Sequence, residues 1–507
     1  MRRFLSLLLF LFAFFLAGVR DAEPGELRIG LPRVPAILDP ATTQDDADRF
    51  LYPQIFETLV RFRDGGTEIE PGLATSWQPS RDGLTWSFRL RSNVRFHDGT
   101  VLIADHVVLA LERHIVPDHP LRPNPPPLWT KALSGGLGIV RGVKRADRAT
   151  VLIELAQPFG PLLAMLAHPA LAIVLPPAEG VTGSTPFVGT GPFRLRQVDP
   201  GVIALEAHQA YWAGASRVDR LVVREITDEA VALGDLLGGA LDILLPASLP
   251  AGGPAGSLPV RLVSAPTGNL GVLVLNANRE PLKRKKARQA LALALDPTVI
   301  TPALRPSADF ARNFLPIGFW GATDGSFYPP LNPTRARALL GEERIKEGTT
   351  LTLLVEKATE SPDLAAVAQA LRNAWAVIGL RLVVQIESAE AFRNGLRSGD
   401  YDVALTEQRV PVLDPDSLFT PLTSLAAARD QRLVDSLFRA GQVSFRPERL
   451  RLYQRAQTLL SEELLWFPLF HSLQWILVRP EVRELRLHPS GTARLHAVKV
   501  EPTKVER

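Results

Sequence analysis

The segment Gly271–Asn276 (GVLVLN) and the segment that follows it, Lys285–Leu295 (KKARQALALAL), decide the fold class of this 507-residue chain. The first is an almost uninterrupted apolar run, which is typical of a strand buried inside a sheet. The second repeats apolar residues at intervals of three and four, which predicts an amphipathic helix. A buried strand followed by a helix is the repeating unit of α/β folds.

The same alternation extends in both directions from this unit. Downstream, the sequence predicts strands at Leu351–Val355, Leu380–Ile386 and Tyr401–Thr406, separated by helices. Upstream of Pro266, strands such as Thr85–Arg91 are more frequent than helices. We therefore predict an α/β protein with mixed sheets.

The order of elements also predicts where the chain changes domain. The strand-rich pattern gives way to the β-α pattern near Ser264–Gly268, which is the predicted boundary. Two separate strands are predicted near the C-terminus, Trp466–Phe470 and Gln474–Val478. The second of these is predicted to return the chain to its first domain.

Helix ends are marked by capping residues. Asn332 before a proline is an N-cap, and Gly341 is predicted to end that helix. Ser361 before Pro362 is predicted to cap the next helix, which Gly379 stops. An apolar stripe on that helix is predicted to bury Trp375.

Composition excludes several classes of function. The chain is 46% hydrophobic and 22% charged, with a net charge of +4 and no long basic block, so nucleic acid is not a predicted partner. It has no cysteine, which excludes disulfides, thiolate metal sites, a cysteine nucleophile and a lipid-modified cysteine.

Signatures of catalysis are also missing. The nine histidines are scattered, and the sequence contains no H-E-x-x-H, G-x-S-x-G or G-x-x-x-x-G-K-[ST] motif. We therefore predict that the protein is not an enzyme and that it holds no metal and no cofactor. A secreted hydrolase with a carboxylate pair stays an alternative, because acidic residues are abundant. A second alternative is a ligand-binding protein that acts as a sensor or chaperone for a membrane partner.

The N-terminus resembles an export signal. Arg2 and Arg3 precede the apolar run Phe4–Val19, which is shorter than a membrane span and typical of a secretory signal. We expect Sec-dependent export. Two cleavage positions are candidates, one at Ala17 and Gly18 and one after Ala22, and an uncleaved membrane anchor is the alternative. Since no cysteine is available for lipid attachment, we expect a periplasmic protein that is not lipid-anchored.

Several local patterns occur in a fixed order along the chain. They are Pro71-Gly72-Leu73-Ala74-x-Ser76-Trp77, Asp82-Gly83-Leu84-Thr85-Trp86-x-Phe88-x-Leu90-Arg91, Val94-x-Phe96-His97-Asp98-Gly99-Thr100, Gly189-Thr190-Gly191-Pro192-Phe193, Lys286-x-Arg288-Gln289-Ala290-Leu291, Tyr401-Asp402-Val403-Ala404, Asp414-Pro415-Asp416 and Phe467-Pro468-Leu469. Together they resemble the extracytoplasmic solute-binding proteins of the dipeptide, oligopeptide and nickel type (family 5), which serve ABC importers.

The resemblance implies a two-lobed periplasmic-binding-protein-like fold with hinge-linked lobes and an extra subdomain in the first lobe. It implies a monomer that captures a peptide or similar small organic solute and delivers it to ABC permease subunits. The expected division of the chain is a signal peptide at 1–22, lobe I at 23–55, 186–265 and 476–507, its subdomain at 56–185, and lobe II at 266–475.

The resemblance also points to three loops as the ligand site. The first loop contains Asp39, the second contains Asn269, and the third runs from Glu407 to Asp414. The expected ligand-binding residues are Asp39, Asn269, Glu407, Gln408, Arg409 and Asp414.

The third loop departs from the pattern of the peptide-binding relatives. Those proteins place an aromatic residue and then an Asp that pairs with the peptide's amino group before an acidic residue and a proline. Counting back from Asp414, the aromatic position falls on Gln408 and the Asp position falls on Pro411. Glu407 is the nearest substitute for that Asp. Arg409 offers a planar guanidinium suited to a carboxylate or phosphate, so an anionic or neutral organic ligand is a rival to a peptide.

Overall fold

The computed structural model describes most of the chain. The described residues are 25–35, 38–43, 45–122, 138–176, 187–246, 259–357, 362–425, 431–443 and 445–501. The expected signal segment, 1–22, lies outside them.

Strands and helices alternate as the sequence predicts for an α/β protein. The strands are β1 Glu26–Leu31, β2 Val60–Phe62, β3 Ile69–Pro71, β4 Ala74–Pro79, β5 Thr85–Leu90, β6 Val140–Asp147, β7 Thr150–Leu155, β8 Phe193–Asp199, β9 Val202–Ala207, β10 Arg220–Glu225, β11 Ile243–Leu244, β12 Arg261–Leu275, β13 Ala308–Phe310, β14 Thr350–Glu356, β15 Arg381–Glu387, β16 Val403–Gln408, β17 Trp466–Val478, β18 Val482–Arg483 and β19 Lys499–Val500. The helices are α1 Asp46–Ile55, α2 Ala104–Ile115, α3 Leu162–Leu166, α4 Glu229–Gly238, α5 Lys285–Leu293, α6 Pro297–Leu304, α7 Pro333–Glu342, α8 Leu364–Ala376, α9 Ala389–Ser398, α10 Pro415–Leu425, α11 Gln431–Gln442 and α12 Arg446–Glu463.

One mixed sheet of 11 strands runs through the molecule in the order β15-β14-β16-β12-β17-β11-β1-β10-β9-β8, with β13 paired to β17. Strands β1 and β10 are parallel, whereas β12 and β17 are antiparallel. A separate four-stranded sheet, β4-β5-β7-β6, forms the extra subdomain. The predicted fold class, a two-lobed mixed α/β protein with a subdomain, is confirmed.

Two long strands connect the lobes. The first part of β12, Arg261–Pro266, pairs with the end of β17, and its last part, from Leu270 on, pairs with the start of β17. The register shifts between Pro266 and Leu270. The prediction of two C-terminal strands was wrong, because His471 pairs with both Leu270 and Asp309 and so continues β17 as one strand. The numerical domain boundaries stay a prediction.

Each lobe has its own core. We call first lobe the part built on the cluster that contains Phe50, Phe88 and Leu221, and second lobe the part with two clusters on its sheet. In β12, Leu273 belongs to one of those two clusters and Val274 to the other. Successive strand residues point to opposite faces, so helices cover both faces of this part of the sheet.

Local signals in the sequence explain several elements. Gly83 adopts a φ of 71° in the turn before β5, as the Asp-Gly pair predicts. Asn332 caps α7 by accepting a hydrogen bond from the Arg335 amide at 2.9 Å. That helix continues through Gly341 to Glu342, one residue beyond its predicted end.

Of the two predictions made for α8, the one for its capping residue is wrong and the one for Trp375 is confirmed. The cap of α8 is Asp363 rather than Ser361, because the Asp363 carboxylate accepts the Ala365 amide at 2.9 Å. Ser361 itself lies outside the described residues. Trp375 is fully buried as predicted, and its indole nitrogen donates to the Leu291 carbonyl at 3.2 Å.

Candidate functional site

The second and third loops meet where β12 crosses between the lobes. Asn269 lies in the register shift of β12, and its Oδ1 accepts a hydrogen bond from the Val410 amide at 2.9 Å. The Asn269 amide donates to Thr267 Oγ1 at 3.1 Å. A side chain at Gly268 would lie 3.0 Å from both Leu413 and Val410. The sequence patterns around Asn269 and Glu407 therefore lie side by side in the fold.

Glu407 lies at the same junction. It is the penultimate residue of β16, it pairs with Gly271 of β12, and it is half-buried. Its carboxylate accepts a hydrogen bond from the Ser472 hydroxyl, and the Ser472 carbonyl accepts from Thr267 Oγ1 at 3.0 Å. A carboxylate is thereby held at the crossing of the two long strands.

Gln408 is half-buried like Glu407, whereas Arg409 is exposed. Gln408 ends β16 and donates from its side-chain amide to the Arg409 carbonyl at 2.9 Å. The Arg409 side chain is exposed, so its guanidinium lies at the surface of the loop. Further along, Val412 is buried in the apolar cluster of the first lobe. The third loop therefore starts in the second lobe and reaches the first.

Asp39 is held inside the first lobe. Its Oδ1 accepts from the Ala41 amide at 2.9 Å, and its Oδ2 forms a buried ion pair with Arg113 of α2. The Arg113 guanidinium also stacks 4.4 Å from the Phe187 ring. The described contacts of Asp39 fix the start of its loop, and ligand contact by Asp39 stays a prediction.

Asp414 ends the third loop and begins α10. Its Oδ1 accepts the Asp416 amide at 3.0 Å, which is the usual role of an acidic residue before a helix. The same oxygen accepts from Arg449 Nη2 at 2.7 Å, and both side chains are about 95% buried. Ligand contact by Asp414 stays a prediction; the structure shows that its carboxylate organises the end of the loop.

Arg449 of α12 joins Asp414 to the first lobe. Its Nε donates to the Ala440 carbonyl at 2.9 Å, and its Nη1 donates to the Gly160 carbonyl at 3.0 Å. The guanidinium also lies 5.1 Å from the Trp320 ring. Trp320 in turn donates its backbone amide to Thr67 Oγ1 of the first lobe at 2.8 Å.

Burial changes the ionisation of groups around this site. The pKa of Asp416 is raised to about 6 by burial and by the neighbouring Asp414 carboxylate, against the opposing charge of Arg449. Burial alone would lower the pKa of Arg449, but Asp414 and Tyr453 hold it above its usual value. Burial also lowers the pKa of His471 to about 4. At neutral pH the site therefore contains charged Arg449 and neutral His471.

Two cavities differ in their relation to these loops. A narrow one of about 10 Å³, the space of roughly one water molecule, is lined by Gly268, Asp414 and Trp320 together with Thr67 of the first lobe. A larger one of about 600 Å³ lies within the first lobe, between the end of α1 and the C-terminal segment. The six predicted residues do not line the larger cavity, so it is separate from the three loops.

Other motifs have structural roles. His97 Nε2 hydrogen-bonds the Gly191 carbonyl at 3.0 Å, and Asp98 caps its own turn by accepting from the Thr100 amide at 2.9 Å. The Gly191 amide donates to the Ile55 carbonyl at 2.9 Å, so this glycine segment packs against α1. Within the described ranges, no group of three or more His, Asp or Glu side chains is arranged to hold a metal ion. No helix in those ranges is long and apolar enough to cross a membrane.

Sequence reasoning missed the residues that connect the lobes. Arg449, Trp320 and Gly160 come from three distant segments, and no local motif marks them. The one available signal is the spacing of Arg449 and Tyr453, four residues apart on a helix and therefore on one face. That spacing is common to most helices and does not reveal a partner in another lobe.

Comparisons with known proteins agree on one family. The model of "Bacterial extracellular solute-binding proteins, family 5 Middle" matches residues 68–430. Di/tripeptide-binding protein 1 of Pseudomonas aeruginosa is 29% identical over 523 aligned positions, covering 96% of each chain. Heme-binding protein A of Haemophilus influenzae is 27% identical and covers 88% of this chain and 87% of its own.

Solved structures share the fold. HbpA2 from Haemophilus parasuis superposes with a TM-score of 0.83 at 24% identity, covering 94% of this chain and all of its own. The unliganded open form of MppA, a periplasmic murein tripeptide binding protein, gives 0.81 at 21% identity, with coverage of 96% and 99%.

Proposed function

Because the chain belongs to the bacterial extracellular solute-binding proteins of family 5, we propose that it is the periplasmic substrate-binding component of an ABC importer. It captures a short peptide or a similar small organic solute between its lobes and delivers it to membrane permease subunits. The relatives named above are binding proteins, one for di- and tripeptides and one for heme. No covalent chemistry is required of such a protein.

The observation that carries this proposal is the junction at the two crossing strands. Asn269, in the register shift of β12, bonds the backbone of Val410 in the third loop. Rotation of the lobes about such a junction moves the loops relative to one another, and a solute between them is desolvated when the lobes close. Loops at a domain interface are the usual place for a small-molecule site.

The charges at this junction determine which peptide groups are recognised. The Glu407 carboxylate is half-buried beside Ser472, where it attracts the ammonium group of a peptide N-terminus. The exposed guanidinium of Arg409 suits the carboxylate at the other end. In this proposal Glu407 takes the place of the Asp that the family resemblance leads one to expect at Pro411.

The proposal is tested first by native mass spectrometry of protein purified from the periplasm. The mass of the folded protein is compared with its denatured mass, and we expect a discrete excess from a co-purified solute. Calorimetry with di- and tripeptides then measures the affinity. A protein that carries no excess mass and gives no heat with the peptides or with heme contradicts the proposal.

Substitutions separate the two ends of the ligand. We expect Glu407→Gln to weaken free peptides about tenfold or more and to leave N-acetylated peptides unchanged. We expect Arg409→Ala to weaken peptides with a free carboxylate but not their amides. The matched controls are Glu390→Gln and Arg372→Ala, which alter exposed side chains on α9 and α8.

A further inference from the structure

A single guanidinium contacts three separate parts of the molecule. Arg449 donates to Asp414 at the end of the third loop, to Ala440 at the end of α11 and to Gly160 in the first lobe. These three contacts are 2.7–3.0 Å long, and a fourth, within α12, runs from Arg449 Nη2 to the Tyr453 hydroxyl at 3.1 Å. The side chain is buried, so these acceptors replace its hydration.

The contact with the first lobe is a close docking of backbone on backbone. The Gly160 amide donates to the Gly441 carbonyl at 2.8 Å, while the Gly160 carbonyl accepts from Arg449. A Cβ at Gly160 would overlap Arg449 Nε and would lie 2.7 Å from the Val443 carbonyl oxygen. A residue without a side chain is therefore required at this position for the first lobe to reach the guanidinium.

We propose that Arg449 is a positioning residue that couples docking of the first lobe to the conformation of the ligand loop Glu407–Asp414. When the Gly160 backbone is seated on the α11–α12 junction, Arg449 is held against Asp414, which fixes the end of the loop. When the first lobe moves away, the guanidinium loses one acceptor and its hold on Asp414 weakens. This inference rests on the proposed function, in which the loop contacts the solute.

The physical basis is the cost of an unsatisfied buried charge. A buried guanidinium requires partners for its N–H groups, and an orientation that leaves one of them without a partner is destabilised. Three of the acceptors, Asp414, Ala440 and the Tyr453 hydroxyl, lie in the second lobe, and the fourth comes from the first lobe. The orientation that satisfies all four exists only when the lobes are in contact here, so this one side chain responds to the positions of both lobes.

The test requires no solute. Hydrogen exchange measured by mass spectrometry follows the backbone amides of the ligand loop and the first turn of α10 in the ligand-free, full-length protein. The informative amides are Val410, bonded to Asn269, and Asp416, bonded to Asp414. We expect Gly160→Ala to accelerate their exchange about tenfold, although the substitution lies in the other lobe.

A control and a second variant define the comparison. Gly142→Ala is the matched control, because a Cβ there lies 4.0 Å from its nearest neighbour in the same subdomain. Arg449→Lys keeps the charge but removes the planar guanidinium whose N–H groups reach several acceptors. We expect the same acceleration of exchange from this variant. Asp414→Asn added to Gly160→Ala is expected to give less than the sum of the two separate effects.

The possible outcomes distinguish this inference from the proposed function. Unchanged exchange of the loop in both Gly160→Ala and Arg449→Lys would overturn the coupling, even if peptides bind normally. Additive effects in the double variant would overturn it as well. Accelerated exchange with no acceleration in Gly142→Ala supports the coupling even if the peptide panel fails. Uniformly faster exchange in both lobes indicates global destabilisation, which also contradicts the proposal.

Discussion

The Oδ1 atom of Asn269 accepts a hydrogen bond from the backbone amide of Val410 at 2.9 Å, although the two residues are 141 positions apart. Asn269 lies where β12 changes register between the lobes, and Val410 lies in the third predicted ligand loop. This bond therefore ties the loop to the strand about which the lobes are expected to rotate.

Removing this acceptor is expected to loosen the loop. Asn269→Ala leaves the Val410 amide without its partner, and we expect a loss of about 1 kcal/mol in the free energy of unfolding. Asn269→Asp keeps an oxygen at the same place and serves as the control. Chemical denaturation measures both, and equal stability of the alanine variant and the wild type would contradict this role of the bond.

Asp416 is expected to make stability depend on pH. Its pKa is raised to about 6, mainly by burial, from an ordinary value of 3.8. The folded protein therefore binds more protons than the unfolded chain between these values, and this group's contribution to stability falls as the pH rises from about 4 to 6. Asp416→Asn removes the free-energy cost of burying this carboxylate in its charged form.

The expected gain for Asp416→Asn is at most about 3 kcal/mol at pH 8 and close to zero at pH 3.5. The control is Asp400→Asn, which alters an acidic side chain that is 83% exposed. Urea denaturation at the two pH values measures the difference. A gain that is the same at both values would show that burial of the charged form is not its cause.

Arg28 and Asp242 form a buried, two-pronged ion pair in the first lobe. The Nε–Oδ2 and Nη2–Oδ1 distances are both 3.0 Å, and the Arg28 amide donates to Oδ2 at 2.8 Å. Asp242→Ala leaves a buried guanidinium without its main partner, so we expect a loss of about 3–5 kcal/mol. Thermal and chemical unfolding measure this loss.

The matched comparison is the exposed pair Lys144–Glu154, with an Nζ–Oε2 distance of 2.8 Å. Water screens this pair, so Lys144→Ala is expected to change stability by less than about 1 kcal/mol. Similar losses from Asp242→Ala and Lys144→Ala would contradict the argument from burial.

Gly191 is expected to tolerate no side chain. A Cβ there would lie 2.6 Å from the Ile55 carbonyl carbon and 2.7 Å from the Gln54 oxygen, and these backbone atoms cannot move aside independently. Gly191→Ala is therefore expected to destabilise the protein by about 2–3 kcal/mol. Gly234, which faces open space in α4, is the control, and Gly234→Ala is expected to stabilise by about 0.5–1 kcal/mol.

Relative to the wild type, the melting temperature is expected to fall in Gly191→Ala and to rise in Gly234→Ala. A stable Gly191→Ala protein would show that α1 and the glycine segment can separate. The role of Gly191 as a backbone contact point would then be wrong.

The sequence by itself determined the fold class and the family. A strand made of an apolar run such as Gly271–Asn276 is buried on both of its faces, because burial of apolar side chains is the dominant favourable term in folding. The Asp82-Gly83 turn and the Asn332 cap are likewise local, since the bonds they make are within a few residues. Motif order then sufficed to indicate the family and its three loops.

Only the tertiary structure decided which polar groups act together. Glu407 and Ser472 are 65 residues apart, and Arg449 and Gly160 are 289 apart, so no periodicity connects them. The continuity of β17 through His471 also depends on its partners Leu270 and Asp309, which sequence pattern alone does not supply. A donor and an acceptor from distant segments form a hydrogen bond only when the folded chain brings them within about 3 Å of each other. That proximity is a property of the packing.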